Sequence, residues 1–113
     1  MSRLSERLRR QREVKVTIGK WTFTALRPTD VEALELHQNN RTFDVLASRF
    51  VVGWQGVTED DLIGGGVQEE VPFDLDAWQE WCANRTDFWE PIAKAILDAY
   101  TKHREVLDAV PKV

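Results

Sequence analysis

The side chains able to do chemistry are scattered along this chain rather than gathered. His37, Cys82 and His103 lie far apart on different expected helices, without the short spacing that builds a metal site. Asp60-Asp61 and Glu69-Glu70 supply carboxylates, yet neighbours in a loop lack the fixed separation that acid-base hydrolysis needs. Gly64-Gly65-Gly66 resembles a phosphate-cradling turn only in composition. No lysine followed by serine or threonine comes after it, and Glu69 and Glu70 would repel an anion. Glu59, Asp60 and Asp61 offer oxygen ligands, but the register of a calcium-binding loop is missing. Ser2 and Ser5 sit in an arginine-rich start, and Ser48 lies in a helical pattern with no histidine near it. The expectation is a protein with no catalytic centre, metal or cofactor, working through contact surfaces.

Aromatic rings and charge are the remaining currency of recognition. Five tryptophans and five phenylalanines are large amounts of apolar area for 113 residues. Trp21, Phe23, Phe50, Trp54, Phe73, Trp78 and Trp81 are the apolar contact candidates, with Asp60 and Asp61 as acidic ones. Each ring serves either as core or as interface. Trp54, next to Gln55-Gly56, reads first as an anchor of the following loop to the core. Charge is strongly divided: residues 1–20 hold seven basic and two acidic groups, whereas residues 59–90 hold ten acidic groups and the single base Arg85. These regions attract one another within or between copies, so self-association is a possible outcome. The arginines could touch phosphate, but the rest of the surface would repel it, and nucleic acid is not the expected partner.

Elements must hold these groups in place. Val14, Val16 and Ile18 alternate with polar residues, Trp21 and Phe23 alternate with threonines, and Gly19-Lys20 between them suits a two-residue hairpin turn. Thr29 with Glu32 forms a capping box that starts a helix running to Gln38 or Asn39, where Asn39-Asn40 offers a break. Phe43, Leu46, Ala47, Phe50 and Val51 trace one side of a second helix that Gly53 interrupts. An acidic, glycine-rich mobile loop then spans about 55–72. Asp74 caps a helix carrying Leu75, Trp78, Trp81 and Cys82 and ending near Asn84-Arg85. Asp87 and Glu90 give the last helix an acidic start, which places Pro91 in or near its first turn; the helix presents Ile92, Ile96, Tyr100, His103 and Leu107, and stops at Pro111.

The fold class is therefore α+β, mainly helical: an N-terminal β-hairpin packed against a bundle of about four helices. One domain at 13–110 follows a basic flexible arm at 1–12. Cys82 reads as a buried thiol. No apolar window is long enough to span a bilayer and no apolar segment follows the basic start, so a cytoplasmic protein is expected.

The run Val52-Gly53-Trp54-Gln55-Gly56-Val57, its acidic glycine-containing loop, and Val71-Pro72-Phe73-Asp74 before a helical tail resemble the tail assembly chaperones of long-tailed bacteriophages. The resemblance covers roughly residues 14 to 107. It implies a small, largely helical, non-catalytic protein of the host cytoplasm that transiently binds the tape measure protein and recruits tail tube subunits. A head-tail joining or minor tail protein, and a small nucleic-acid-binding regulator using Arg3 to Arg12, are the alternative expectations.

Overall fold

The computed structural model describes residues 3–38 and 43–109. Helix α1 (Arg3–Arg10) leads into strands β1 (Glu13–Ile18) and β2 (Trp21–Leu26), helices α2 (Asp30–Gln38) and α3 (Phe43–Phe50), and strand β3 (Val51–Gln55). Helices α4 (Glu59–Ile63), α5 (Leu75–Ala83) and α6 (Thr86–Ala109) complete the chain. The α+β, mainly helical class holds, with an N-terminal hairpin against helices.

The hairpin forms as its alternation dictates. Ile18 pairs with Trp21 and Glu13 with Leu26, leaving Gly19-Lys20 as a two-residue turn in which Gly19 has φ 61°. Val16, Phe23 and Ala25 point into the core, while Lys15, Thr17, Thr22 and Thr24 form the outer face, where Lys15 Nζ donates to Thr24 Oγ1 at 2.6 Å.

A third strand corrects the expected helix of residues 43–51. The helix stops at Phe50, and Val51–Gln55 pairs antiparallel with β2, so the sheet order is β1-β2-β3. Val51 and Val52 are β-branched and Trp54 is aromatic, all suited to a pleated surface. The register shifts between Thr24 and Ala25, where Gly53 faces Thr24 and Val51 faces Ala25. That bulge puts both Val51 and Trp54 on the buried side.

The core is an aromatic layer between the sheet and α3, α5 and α6. Trp81 lies at its centre, with ring centroids 5.2 Å from Trp21, 5.0 Å from Phe88 and 6.1 Å from both Phe23 and Trp78. Most of these pairs meet edge to face, the arrangement favoured by ring quadrupoles. Indole N–H groups are satisfied inside: Trp78 donates to the Ala47 carbonyl at 3.1 Å and Trp89 to the Cys82 carbonyl at 2.7 Å. Arg85 lies 4.3 Å over the Phe88 ring and binds Asp87 through two hydrogen bonds.

Capping follows the sequence closely. Thr29 and Glu32 exchange the reciprocal bonds of a capping box, and Asp74 accepts from the Ala77 N–H at 3.2 Å. Helix α6 begins at Thr86, at the acidic start that Asp87 marks, so Pro91 falls just past its first turn, and the fully buried Phe88 and Ile92 hold that turn against the core. Burial fades along it, and Val106 and Leu107 are exposed. The basic arm is helical over Arg3–Arg10 with no buried residue. The molecule is elongated, about 60 × 34 × 24 Å. The expected break at Asn39-Asn40 and the stop at Pro111 lie outside the described residues.

Candidate protein-binding cleft

The segment expected to be a mobile loop is instead laced to the sheet. Thr58 caps α4 by accepting from the Asp61 N–H, while Asp61 accepts from the Thr58 N–H. Further bonds close the excursion: Val71 N–H to the Val57 carbonyl at 2.9 Å, Asp60 N–H to the Val67 carbonyl at 3.0 Å, and Gly56 N–H to Glu70 Oε1 at 3.0 Å. Asp60 Oδ1 accepts from the Gly65 N–H. Two glycines fit because nothing larger does. Gly56 has φ 83° and its missing Cβ would lie 2.8 Å from the Lys20 carbonyl oxygen; at Gly66 a Cβ would meet Glu59 Cγ at 2.8 Å.

Asp61 joins this segment to the hairpin turn. Its carboxylate accepts from Trp21 Nε1 at 3.0 Å and pairs with Lys20 Nζ at 2.7 Å, and its side chain is only 8% exposed. Burial alone would push the carboxyl up. The bonds from Lys20, Trp21 and Thr58 outweigh that and hold it well below the usual carboxylate range.

This lacing frames a cleft of about 590 Å³ between β3, α4 and the start of α5. Its apolar lining is Trp54, Leu62, Val71, Pro72, Phe73 and Ala77, with Glu59 and Asp74 as the acidic members. Trp54 Nε1 donates to the Val71 carbonyl at 2.8 Å, and Phe73 packs edge-on to the Trp54 ring at 4.9 Å. Ile63, Val67 and Leu75 lie exposed on the same segments. Arg85, the lone base of residues 59–90, is engaged by Phe88 and Asp87. The cleft is thus an apolar hollow in an acidic surface, suited to an apolar stripe flanked by cations.

The sequence candidates divide between core and surface. Phe23 and Trp78 are fully buried, Phe50 and Trp81 nearly so, and none of them meets a partner unless the chain opens. Trp54 is 7% exposed and forms the floor of the cleft, so the anchoring role holds, though from a strand rather than past a helix end. Phe73 lines the cleft and is half-buried. Trp21 is half-buried against Asp61, Trp81 and Phe88. Asp60 and Asp61 bind their own segment. Leu62, Val71 and Ala77 were not among the candidates; the only sequence signal for Leu62 was the Thr58-x-x-Asp61 helix start.

Elsewhere, Pro28, Leu36, Phe43, Leu46 and Leu97 line a second apolar hollow of about 360 Å³ between α2, α3 and α6. Asp30, first in α2, accepts from Tyr100 at 3.0 Å and lies 3.3 Å from both His103 and Arg104 on α6. The Tyr100 hydrogen bond leads the other influences in holding the Asp30 carboxyl low. Among the described residues, no three histidine, cysteine or acidic side chains group as metal ligands, and no helix is long and apolar enough to cross a membrane. No protein-family model, curated protein or solved structure matches the chain.

Proposed function

We propose that this protein is a non-catalytic tail assembly chaperone of a long-tailed bacteriophage, acting in the host cytoplasm. It holds the tape measure protein before tail tube subunits assemble around it. The observation that carries this reading is the cleft under α4, in which an apolar floor opens through an acidic surface. A holding protein must cover apolar client segments while staying soluble itself, and that pairing of surfaces supplies both. The client segment it fits is an amphipathic helix with leucine-like side chains on one face and lysine or arginine beside them. The sequence resemblance over Trp54, Gly56, Val57 and Val71-Pro72-Phe73 supplies the identity of the client, and those residues are the ones that build and brace the cleft.

Co-expression tests the proposal. A tape measure protein from the same phage is expected in the soluble fraction with it and in inclusion bodies without it. A client that stays insoluble in both cases, with no co-purifying complex, refutes the assignment.

A further inference from the structure

Positive charge collects at the base of the hairpin without matching negative charge. Arg12 and Arg27 flank the last pair of the β1–β2 ladder, Glu13 with Leu26, and the Arg27 N–H donates to the Arg12 carbonyl at 2.8 Å. Arg12 Nη1 donates to the Arg27 carbonyl at 3.2 Å, which keeps the two basic residues together. The Arg12 N–H in turn donates to the Arg9 carbonyl at 3.0 Å, fixing the end of α1 beside them. Two hollows of about 420 and about 340 Å³ share Gln11, Arg12, Arg27 and His103 as walls, and so make one groove between α1, the hairpin and α6. Arg9 and Thr29 belong to one half; Lys102, Val14, Ala99 and Val106 belong to the other. These are the dimensions of an ordinary small-ligand site.

Nearby acids leave this charge standing. Asp30 is engaged by Tyr100, His103 and Arg104. Glu32 divides its carboxylate among Arg12 at 3.5 Å, Arg49 at 3.9 Å and the Thr29 N–H. Among the described residues, no carboxylate forms an ion pair with Arg9, Arg27 or Lys102. The Arg27 side chain donates to the Pro28 carbonyl, a neutral acceptor. Burial first, and then the charge of Arg12, draw the half-buried Arg27 guanidinium below its ordinary value, against smaller opposite pulls from Asp30 and Tyr100. A like-charge pair held together by the backbone in a groove is an arrangement that an anion completes.

We propose that this groove binds a phosphate group, free or carried by a small molecule. Of its four cations, Arg9, Arg12, Arg27 and Lys102, two are offset by Glu13 and the shared Glu32, while Arg104 balances Asp30; an excess of about two positive charges remains. A lone carboxylate brings one negative charge, whereas a phosphate monoester brings about 1.5 to 2 at neutral pH, with three acceptor oxygens. The planar forks of Arg12 and Arg27 suit those oxygens in pairs. The Thr29 hydroxyl, which accepts from the Glu32 N–H at 3.2 Å, keeps its own proton to donate to the phosphate. Arg9 and Lys102 close on it from α1 and α6, and the organic part of an ester lies along Val14, Ala99 and Val106. The groove shares no residue with the cleft under α4, so this site does not rest on the chaperone reading.

Calorimetric titration at constant ionic strength tests it, with inorganic phosphate and adenosine monophosphate as the probes. Binding should saturate at one probe per chain. Tighter binding of the nucleotide identifies an ester seated along the apolar wall, and equal binding identifies the free ion; either supports the site. Arg27→Gln should weaken both probes by about tenfold or more. Without ligand, that variant should melt at or above the wild-type temperature, because the like-charge contact is gone. Arg9→Gln with Lys102→Gln, both exposed, keeps the fold and should weaken binding by roughly threefold or more. Arg3→Gln/Arg7→Gln/Arg10→Gln alters a separate hollow, shared with Glu6, and should bind as the wild type does. The proposal is overturned if neither probe saturates by about 10 mM. It is equally overturned if the Arg27 variant, or the Arg9 and Lys102 variant, binds like the wild type. Loss of binding in the Arg3, Arg7 and Arg10 variant to the same extent as in Arg27→Gln also overturns it, since that is diffuse attraction to α1 rather than a site.

Discussion

Replacing Asp61 tests whether the acidic segment is built into the fold. Asp61→Ala removes the acceptor of Trp21 Nε1, of the Thr58 N–H and of Lys20 Nζ at once. A hydrogen bond to a charged acceptor contributes about 1.5–3 kcal/mol, but both Trp21 and Thr58 are half-buried and regain part of it from water. Lys20 is 62% exposed, so its ion pair adds at most about 1 kcal/mol. The net cost should be about 2–3 kcal/mol for alanine and about half that for asparagine, which keeps one acceptor oxygen. Thermal unfolding should then begin about 10 °C lower in Asp61→Ala. The folded carboxyl is held below its unfolded value, so its contribution is full above about pH 5 and is lost as pH falls through the ordinary range near 4 toward the folded value. Asp61→Asn should therefore flatten the acid limb of the stability profile. In a nitrogen-proton spectrum, the Trp21 indole resonance should move while those of Trp78 and Trp89 stay in place. Unchanged melting, an unchanged acid limb and an unmoved Trp21 signal would together refute the claim that Asp61 locks α4 to the hairpin turn.

Further substitutions separate core from surface. Trp78→Ala should cost about 3–5 kcal/mol in chemical denaturation, since the ring is fully buried and its N–H binds Ala47, so this residue is unsuitable for probing contacts. Gly56→Ala should destabilise by about 2–3 kcal/mol, combining positive φ with a clash against Lys20; Gly64→Ala, at a similar φ but with open space, should cost only about 1 kcal/mol. Burial pushes the Cys82 thiol up to about 11, so at pH 8 a thiol reagent should label it only as fast as the chain unfolds. Rapid labelling of the native protein would contradict the packing around α5.

How much was legible beforehand depended on whether the deciding contact was local. The hairpin was readable because alternation and a glycine-led turn are both short-range, and Thr29, Glu32 and Asp74 announced their helices by capping chemistry within four residues. Strand β3 was hidden because Phe50 closes a helical stripe and Val51 opens a strand with no breaker between them. Only the vacant edge of β2, a tertiary feature, decides the switch. Asp61 looked like half of a solvated acidic pair, and its role depends on Lys20 and Trp21, some 40 positions away. The tryptophans were rightly singled out by size, but size does not say which side of the sheet a ring occupies. Trp54 and Phe73 were on the candidate list; of the walls they face, Leu62 is marked only by the Thr58-x-x-Asp61 helix start, Val71 only by the Val71-Pro72-Phe73 run, and Ala77 carries no signal beyond being apolar.

Calorimetric titration of a soluble, cationic amphipathic segment of the tape measure protein into this chain tests the central claim most directly, with Glu59→Gln/Asp74→Asn as the comparison. Asparagine preserves the cap of α5, so the double variant removes charge from the cleft and leaves its shape. Binding should be saturable, with one segment per chain, and should weaken roughly fivefold to tenfold in the variant, as two partly exposed ion pairs predict. Equal affinity for both proteins, or no binding at all, would contradict the assignment of this cleft.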